Sequence, residues 1–254
     1  MTDEPSIDLT VSGHTATIVI SNPSRRNAMT VEMWRRLPDL LDAAAADPAV
    51  RALVLTGAGP TFSAGADLNG VHDMVGADGP HTAAEERLAA FPKPTIARVR
   101  GHCVGGGCQL AVACDLRVAA VDARFAVPPA RLGIVYPAST TRRLAGLVGP
   151  SAAKLLLFTA DQIDAGRALA IGLVDEVVAV DDLDAHVARL VDTIAQRSRL
   201  TIAAAKETID LAVAGRPSPE REAFWEAEMH RAGDVAEGVA AFLDRRLANF
   251  TWNP

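Results

Sequence analysis

Twice along this chain a short apolar run gives way to a glycine-rich turn. RALVLTG (51–57) leads to TFSAGADL (61–68), and PTIARVR (94–100) leads to GHCVGGG (101–107). Runs that are apolar throughout, rather than alternating, mark strands covered on both faces. The second turn continues into CQLAVAC (108–114), read as a short helix, and then DLRVAA (115–120), read as another strand. Strand, glycine turn, helix, strand is the rhythm of an α/β protein, in which ligand groups collect at strand-to-helix turns. With 254 residues, 49% of them hydrophobic, the chain has enough apolar surface to bury an ordinary core.

The flanking segments complete the outline. IDLTVSG (6–12) and HTATIVI (14–20) alternate around Gly13-His14 and predict a β-hairpin. Thr30 is placed to cap a helix reaching Asp47, with Glu32 in its first turn and Pro38 expected to kink it. A polar, glycine- and histidine-containing stretch from Asn69 to about Thr82 reads as a mobile loop. Beyond about residue 138 the chain turns largely helical. LVDEVVAV (173–180) is the last strand, and helices are expected near 181–197, 199–214, 219–232 and 234–247, the last capped by Asp234.

Charge and motifs exclude several functions. A net charge of −6 argues against a nucleic-acid surface, which needs a basic stripe to displace counterions. The pairs Arg25-Arg26, Arg142-Arg143 and Arg245-Arg246 read as solvated faces. MTDEPSIDL lacks the basic start and apolar stretch of a secretory signal, and no run approaches the ~18 apolar residues of a membrane span, so a cytoplasmic protein is expected. Cys103, Cys108 and Cys114 read as buried reduced thiols. GHCVGGG does not give G-x-G-x-x-G, and no P-loop, H-E-x-x-H or G-x-S-x-G is present. The histidines show no metal-ligand spacing.

What remains is the pair of turns. Free N–H groups project from a helix N-terminus, where the macrodipole favours negative charge, so SAGAD (63–67) and GHCVGGGCQL (101–110) together read as a two-donor oxyanion hole. The succession NPSRRNAM, TFSAGADL, GHCVGGGCQLAVACDLRVAA, RFAVPPARLGIVYP and AFLDRRLANF, spread over essentially the whole chain, resembles the enoyl-CoA hydratase/isomerase, or crotonase, superfamily. The resemblance implies an α/β fold: a spiral of ββα turns over residues 1–195, with a C-terminal helical subdomain over 196–254 for oligomerisation and closure of the CoA site. It implies self-association as a trimer or a dimer of trimers, acyl-CoA as the ligand and no permanently bound cofactor. It puts the oxyanion donors on the N–H groups of Ala64 and Gly106. Coenzyme A contacts fall near Arg25, Arg26 and Ala28, with Ala66, Asp67 and Leu68 on the adjoining turn and Phe242 and Arg245 on the last helix. A lysine that some members carry after AGAD is Asn69 here, and Asp67 and Asp115 match aspartates that organise their turns.

The resemblance also exposes a departure. The glutamates that hydratases of the family use to move protons fall on Gln109 and Pro129. A neutral amide positions water without accepting its proton at neutral pH, and proline has no side-chain donor. Tyr136 sits where some decarboxylases of the family place a tyrosine, but their partner histidine is Ala66. His72, Asp73 and His81 border the acyl end of the pocket in relatives; Trp34 reads as core, and Arg131 as a solvent-facing residue or a carboxylate contact. Two functions follow: an enolate-stabilising enzyme that does not depend on paired glutamates, such as a decarboxylase, or a catalytically silent acyl-CoA binding protein.

Overall fold

The computed structural model describes residues 4–69 and 79–253. Its strands are β1 (Ser6–Ser12), β2 (Thr15–Ser21), β3 (Ala52–Gly57), β4 (Thr95–Val99), β5 (His102–Val104), β6 (Leu116–Ala120), β7 (Arg124–Ala126), β8 (Ile163–Asp164) and β9 (Glu176–Val178). The helices are α1 (Val31–Ala46), α2 (Pro80–Ala89), α3 (Gly106–Ala113), α4 (Pro129–Leu132), α5 (Ala138–Thr159), α6 (Ala165–Ala170), α7 (Leu183–Ala195), α8 (Arg199–Val213), α9 (Pro219–Ala232) and α10 (Asp234–Asp244). The larger sheet has the order β1-β2-β3-β4-β6-β9; β1 and β2 are the expected antiparallel hairpin, and every later pairing is parallel.

A second sheet, β5-β7-β8, was not foreseen. GHCVGGG is not one tight turn: Gly101 makes a corner, β5 crosses into the second sheet, and Gly105 makes another corner before α3. The segment after β6 does the same through β7, which pairs in parallel with β5. After β3, Ser63 forms a single parallel bridge to Cys103, a one-residue version of that crossing. Three successive turns therefore repeat strand, short second strand, helix, so the chain is a mixed α/β spiral. The short strands escaped notice because three residues are too few to display a period of two.

Burial explains the apolar runs. All six residues of β3 are buried. On one side lies the main core, with Ile18, Leu53, Leu55, Trp34 and Leu37; on the other, Val54, Ile96 and Val118 meet Leu183, Val187 and Val191 of α7. Those three α7 residues recur every four positions, one stripe of a helix laid on the sheet.

α1, capped by Thr30 Oγ1 accepting from Met33 N at 3.3 Å, continues as one helix past Pro38, whose missing N–H leaves the Trp34 carbonyl without its helical donor. One helix expectation needs correction. Asp234 does not cap α10: Gly233 does, while Asp234 is buried and accepts from Ser198 Oγ at 2.6 Å. Ser198 also caps α8, so one contact joins the starts of two helices. Pro80 opens α2 inside the stretch read as a loop, and His72 and Asp73 lie outside the described residues.

Candidate active site

Within SAGAD (63–67), after β3, one N–H has no acceptor among the described residues. Asn27, buried at φ 58, donates from Nδ2 to the carbonyls of Ala58 (2.9 Å) and Thr61 (2.6 Å), fastening the loop after β2 to the end of β3. Ser63 Oγ donates to Asn27 O at 2.7 Å and accepts from Gly65 N at 3.1 Å. Ala64 N donates to Arg26 O at 2.9 Å. The Ala64 N–H is thus consumed inside the turn, which overturns its assignment as an oxyanion donor. Met29 N donates to Gly65 O at 2.7 Å and Asp67 N to Met29 O at 2.8 Å. In such a parallel bridge the residue between those two bonds turns its own N–H the other way. That residue is Ala66, and its N–H has no acceptor among the described residues.

Gly106 supplies a second free N–H beside it. It is the first residue of α3, and whereas Gly105 N donates to Ala126 O at 2.9 Å, Gly106 N has no acceptor among the described residues. A Cβ on Gly106 would stand 3.7 Å from Ala66 N but 2.9 Å from Trp34 Cζ2, so the two turns meet over the indole with room for glycine alone. Gly65, at φ 97, is equally constrained: its Cβ would lie 2.7 Å from Val104 O and 3.1 Å from Gly106 N. Ala66 and Gly106 are both half-buried, hence reachable, and the α3 macrodipole adds positive potential where they point.

Beside this pair lie Gln109 and Tyr136, two of the residues that the sequence singles out for proton transfer. Gln109 is buried with Nε2 lacking a partner among the described residues, and it lines a small cavity with Cys108, Tyr136 and Thr140. Pro129 is buried as the first residue of α4 and is absent from that lining. The Tyr136 hydroxyl stands 3.7 Å from where a Gly105 Cβ would be. Burial, reinforced by Cys108 and Glu85, pushes the Tyr136 phenol well above its usual range, so at neutral pH it is a donor and not a base. His81 packs edge-on to Trp34 at 6.3 Å, and burial lowers its pKa. Glu85, one turn further along α2 and fully buried, belongs to no sequence motif: it accepts from Thr140 Oγ1 at 2.6 Å, and burial raises its carboxyl to about 7. Arg131 faces away, bonded to Asp161 at 3.2 Å with both side chains exposed.

A profile of the enoyl-CoA hydratase/isomerase family matches residues 11–253. The chain belongs to the enoyl-CoA hydratase/isomerase family. It is 37% identical to a crotonyl-CoA hydratase of Syntrophomonas wolfei, over 92% of this chain and 94% of that one. It is 35% identical to a 2,3-dehydroadipyl-CoA hydratase of Escherichia coli, over 92% and 93% of the two chains. A crystal structure of an enoyl-CoA hydratase/isomerase family member superposes with a TM-score of 0.93 at 35% identity, covering 99% of this chain and 98% of that one.

Within this family fold, the residues expected near coenzyme A fall into two separate groups. Arg25 Nη1 bonds Asp67 Oδ1 at 3.1 Å, and the Asn69 carboxamide oxygen, in its hydrogen-bonding orientation, accepts from the same guanidinium at 2.7 and 2.9 Å. Arg26 sits at φ 53 with its carbonyl spent on Ala64, and the Ala28 carbonyl accepts from Asn22 Nδ2 at 2.8 Å. Leu68 is exposed beside them. Phe242 belongs to α10, which packs on α9, and is 83% exposed, while Arg245 is the left-handed residue, φ 54, that ends that helix. Among the described residues no group of three or more His, Cys, Asp or Glu side chains could hold a metal, and no helix is long and apolar enough to cross a membrane.

Proposed function

We propose that this family member binds an acyl-CoA thioester with the carbonyl oxygen between the N–H groups of Ala66 and Gly106, and stabilises the enolate formed there. The observation that carries this reading is the pair of unspent N–H groups meeting over Trp34. As negative charge builds on the thioester oxygen, fixed donors at a helix N-terminus gain strength without reorganising. Arg25 and Arg26 are the cations for the nucleotide phosphates, with Ala28, Asp67 and Leu68 framing that cleft. Phe242 and Arg245 close it from a neighbouring copy, the helical part from 196 to 254 packing against its counterparts as a trimer or a dimer of trimers.

Ordinary hydration through paired carboxylates is not the reaction proposed, because Gln109 and Pro129 hold those positions. Loss of CO₂ from a malonyl-type thioester is favoured instead by one observation, the neutral Tyr136 hydroxyl beside Gly105. Departure of CO₂ generates the enolate without a base, and the phenol then lies ready to protonate it. Incubation with a panel of malonyl-, enoyl- and hydroxyacyl-CoA thioesters, followed by mass spectrometry, tests the reading. Loss of CO₂ from a malonyl-type ester supports decarboxylation; saturable binding with every ester recovered unchanged identifies a silent binder. Absence of binding by calorimetry refutes the thioester site itself.

A further inference from the structure

We infer that Glu85, a carboxyl contributed by α2 rather than by the walls carrying Gln109 and Pro129, takes and returns the α-proton of the thioester bound in this pocket. The inference rests on the acyl-CoA reading above. Six buried side-chain polar atoms lack a partner among the described residues, and five of them belong to Trp34, His81, Glu85, Gln109 and Arg143. Buried polar atoms are ordinarily satisfied, so their concentration where α1, α2, α3 and α5 meet beside Gly106 marks a place reserved for polar chemistry. Glu85 is the one carboxyl among them. Its Oε2 is fixed by Thr140 Oγ1 at 2.6 Å, while Oε1 has no partner among the described residues. Thr140 in turn lines the same cavity as Gln109 and Tyr136.

The groups facing Glu85 leave it able to titrate. Burial raises it to about 7, Thr140 and Arg143 draw it down, and Glu86 pushes it up. Arg143 bonds Glu86 at 3.0 Å rather than Glu85. On α2 itself His81 has its pKa lowered by burial, Tyr136 is held neutral across the cavity, Cys108 faces in from α3, and Asp42 of α1 is paired with Arg87 at the surface. A carboxyl poised near neutrality both accepts and delivers a proton. In the step, the C–H electron pair at the α-carbon becomes the enolate double bond, the charge moves to the oxygen held by Ala66 and Gly106, and the proton passes to Glu85 Oε1. Reversal with a solvent-exchanged proton leaves the thioester intact.

Deuterium incorporation into butyryl-CoA in D₂O, followed by mass spectrometry, reads this step directly. The wild-type protein should wash deuterium into the α-carbon with a rate that rises with pH through about 7. Glu85→Gln should cut that rate by about 100-fold or more, with butyryl-CoA affinity by calorimetry unchanged. Thr140→Val removes a hydrogen bond that favours the carboxylate and should move the inflection to higher pH. Wild-type protein that binds butyryl-CoA without exchanging it overturns the assignment. So does a folded Glu85→Gln variant that exchanges at the wild-type rate, or an inflection that Thr140→Val leaves in place. If the wild-type protein does not bind butyryl-CoA, the thioester reading falls and takes this assignment with it.

Discussion

At the scale of single residues, the proposed function depends on which backbone N–H groups remain unspent. Gly65→Ala would force an L side chain into φ 97 and against Val104 O. It is expected to cost on the order of 3 kcal/mol, read as a fall in Tm and in butyryl-CoA affinity together. Gly106→Ala would push a methyl group into Trp34, 2.9 Å away, and displace the donor. Any thioester exchange or turnover should then drop by about 100-fold or more while the fold persists. The turn was legible in SAGAD, but the donor was not, because residue spacing does not say which N–H is consumed. Only the bonds from Ala64 to Arg26 and from Asp67 to Met29 single out Ala66. Glu85 was illegible for a related reason: nothing in HTAAEERL distinguishes the inward glutamate from the surface one beside it. Its burial makes a further prediction. A carboxyl raised from 4.5 to about 7 binds more protons folded than unfolded, so stability falls as pH rises through that window. The loss should approach roughly 3 kcal/mol, and Glu85→Gln should flatten it in urea titrations between pH 5 and 8. An unaltered pH dependence in the variant would show that the carboxyl does not titrate in this range.

Among the elements, the corners of the spiral are tied by acidic residues that each bridge two segments. Asp115, ahead of β6, accepts from Thr95 N at 2.8 Å and Thr95 Oγ1 at 3.0 Å, and from Lys206 Nζ of α8 at 2.6 Å. It therefore couples the sheet to the C-terminal helices. Asp115→Ala strands a backbone donor and a half-buried ammonium at once, and should lower stability by roughly 2–4 kcal/mol, measured by chemical denaturation. A loss below 1 kcal/mol would mean that solvent replaces these contacts freely. Long elements were legible because their burial imposes a period: the hairpin, α1 and α7 lie close to where their apolar residues predict. What was not legible has a local cause in each case. β5 and β7 are three residues long, α2 begins inside a polar stretch, and Asp234 is a better capping residue by type than Gly233, yet its carboxylate is drawn to Ser198.

On the scale of the whole molecule, the C-terminal helices are too sparsely buried to be explained by this chain alone. α8 buries only Leu200, α9 buries no residue, and α10 buries Asp234 and Ala241. Phe158, Val213, Phe242, Leu243 and Leu247 meanwhile stand 73% or more exposed. So much exposed large apolar surface supports the proposed association of copies through this face. Light scattering should accordingly give a mass that is a multiple of 26.6 kDa, three or six chains under the proposed assembly. Leu243→Asp with Leu247→Asp places charge on that face without touching either oxyanion donor, and should release monomers. Because Phe242 sits on α10 and Arg245 at its C-terminal end, away from Arg25 and Arg26, the same variant separates the two halves of the proposed CoA cleft. If a neighbour's α10 closes the cleft, the monomer should keep its fold and its hole yet bind butyryl-CoA at least ~10-fold more weakly, a loss of about 1.4 kcal/mol. Monomeric wild-type protein, or a monomeric variant of undiminished affinity, would place the whole nucleotide site within one chain and leave the exposed apolar helices without a role in binding.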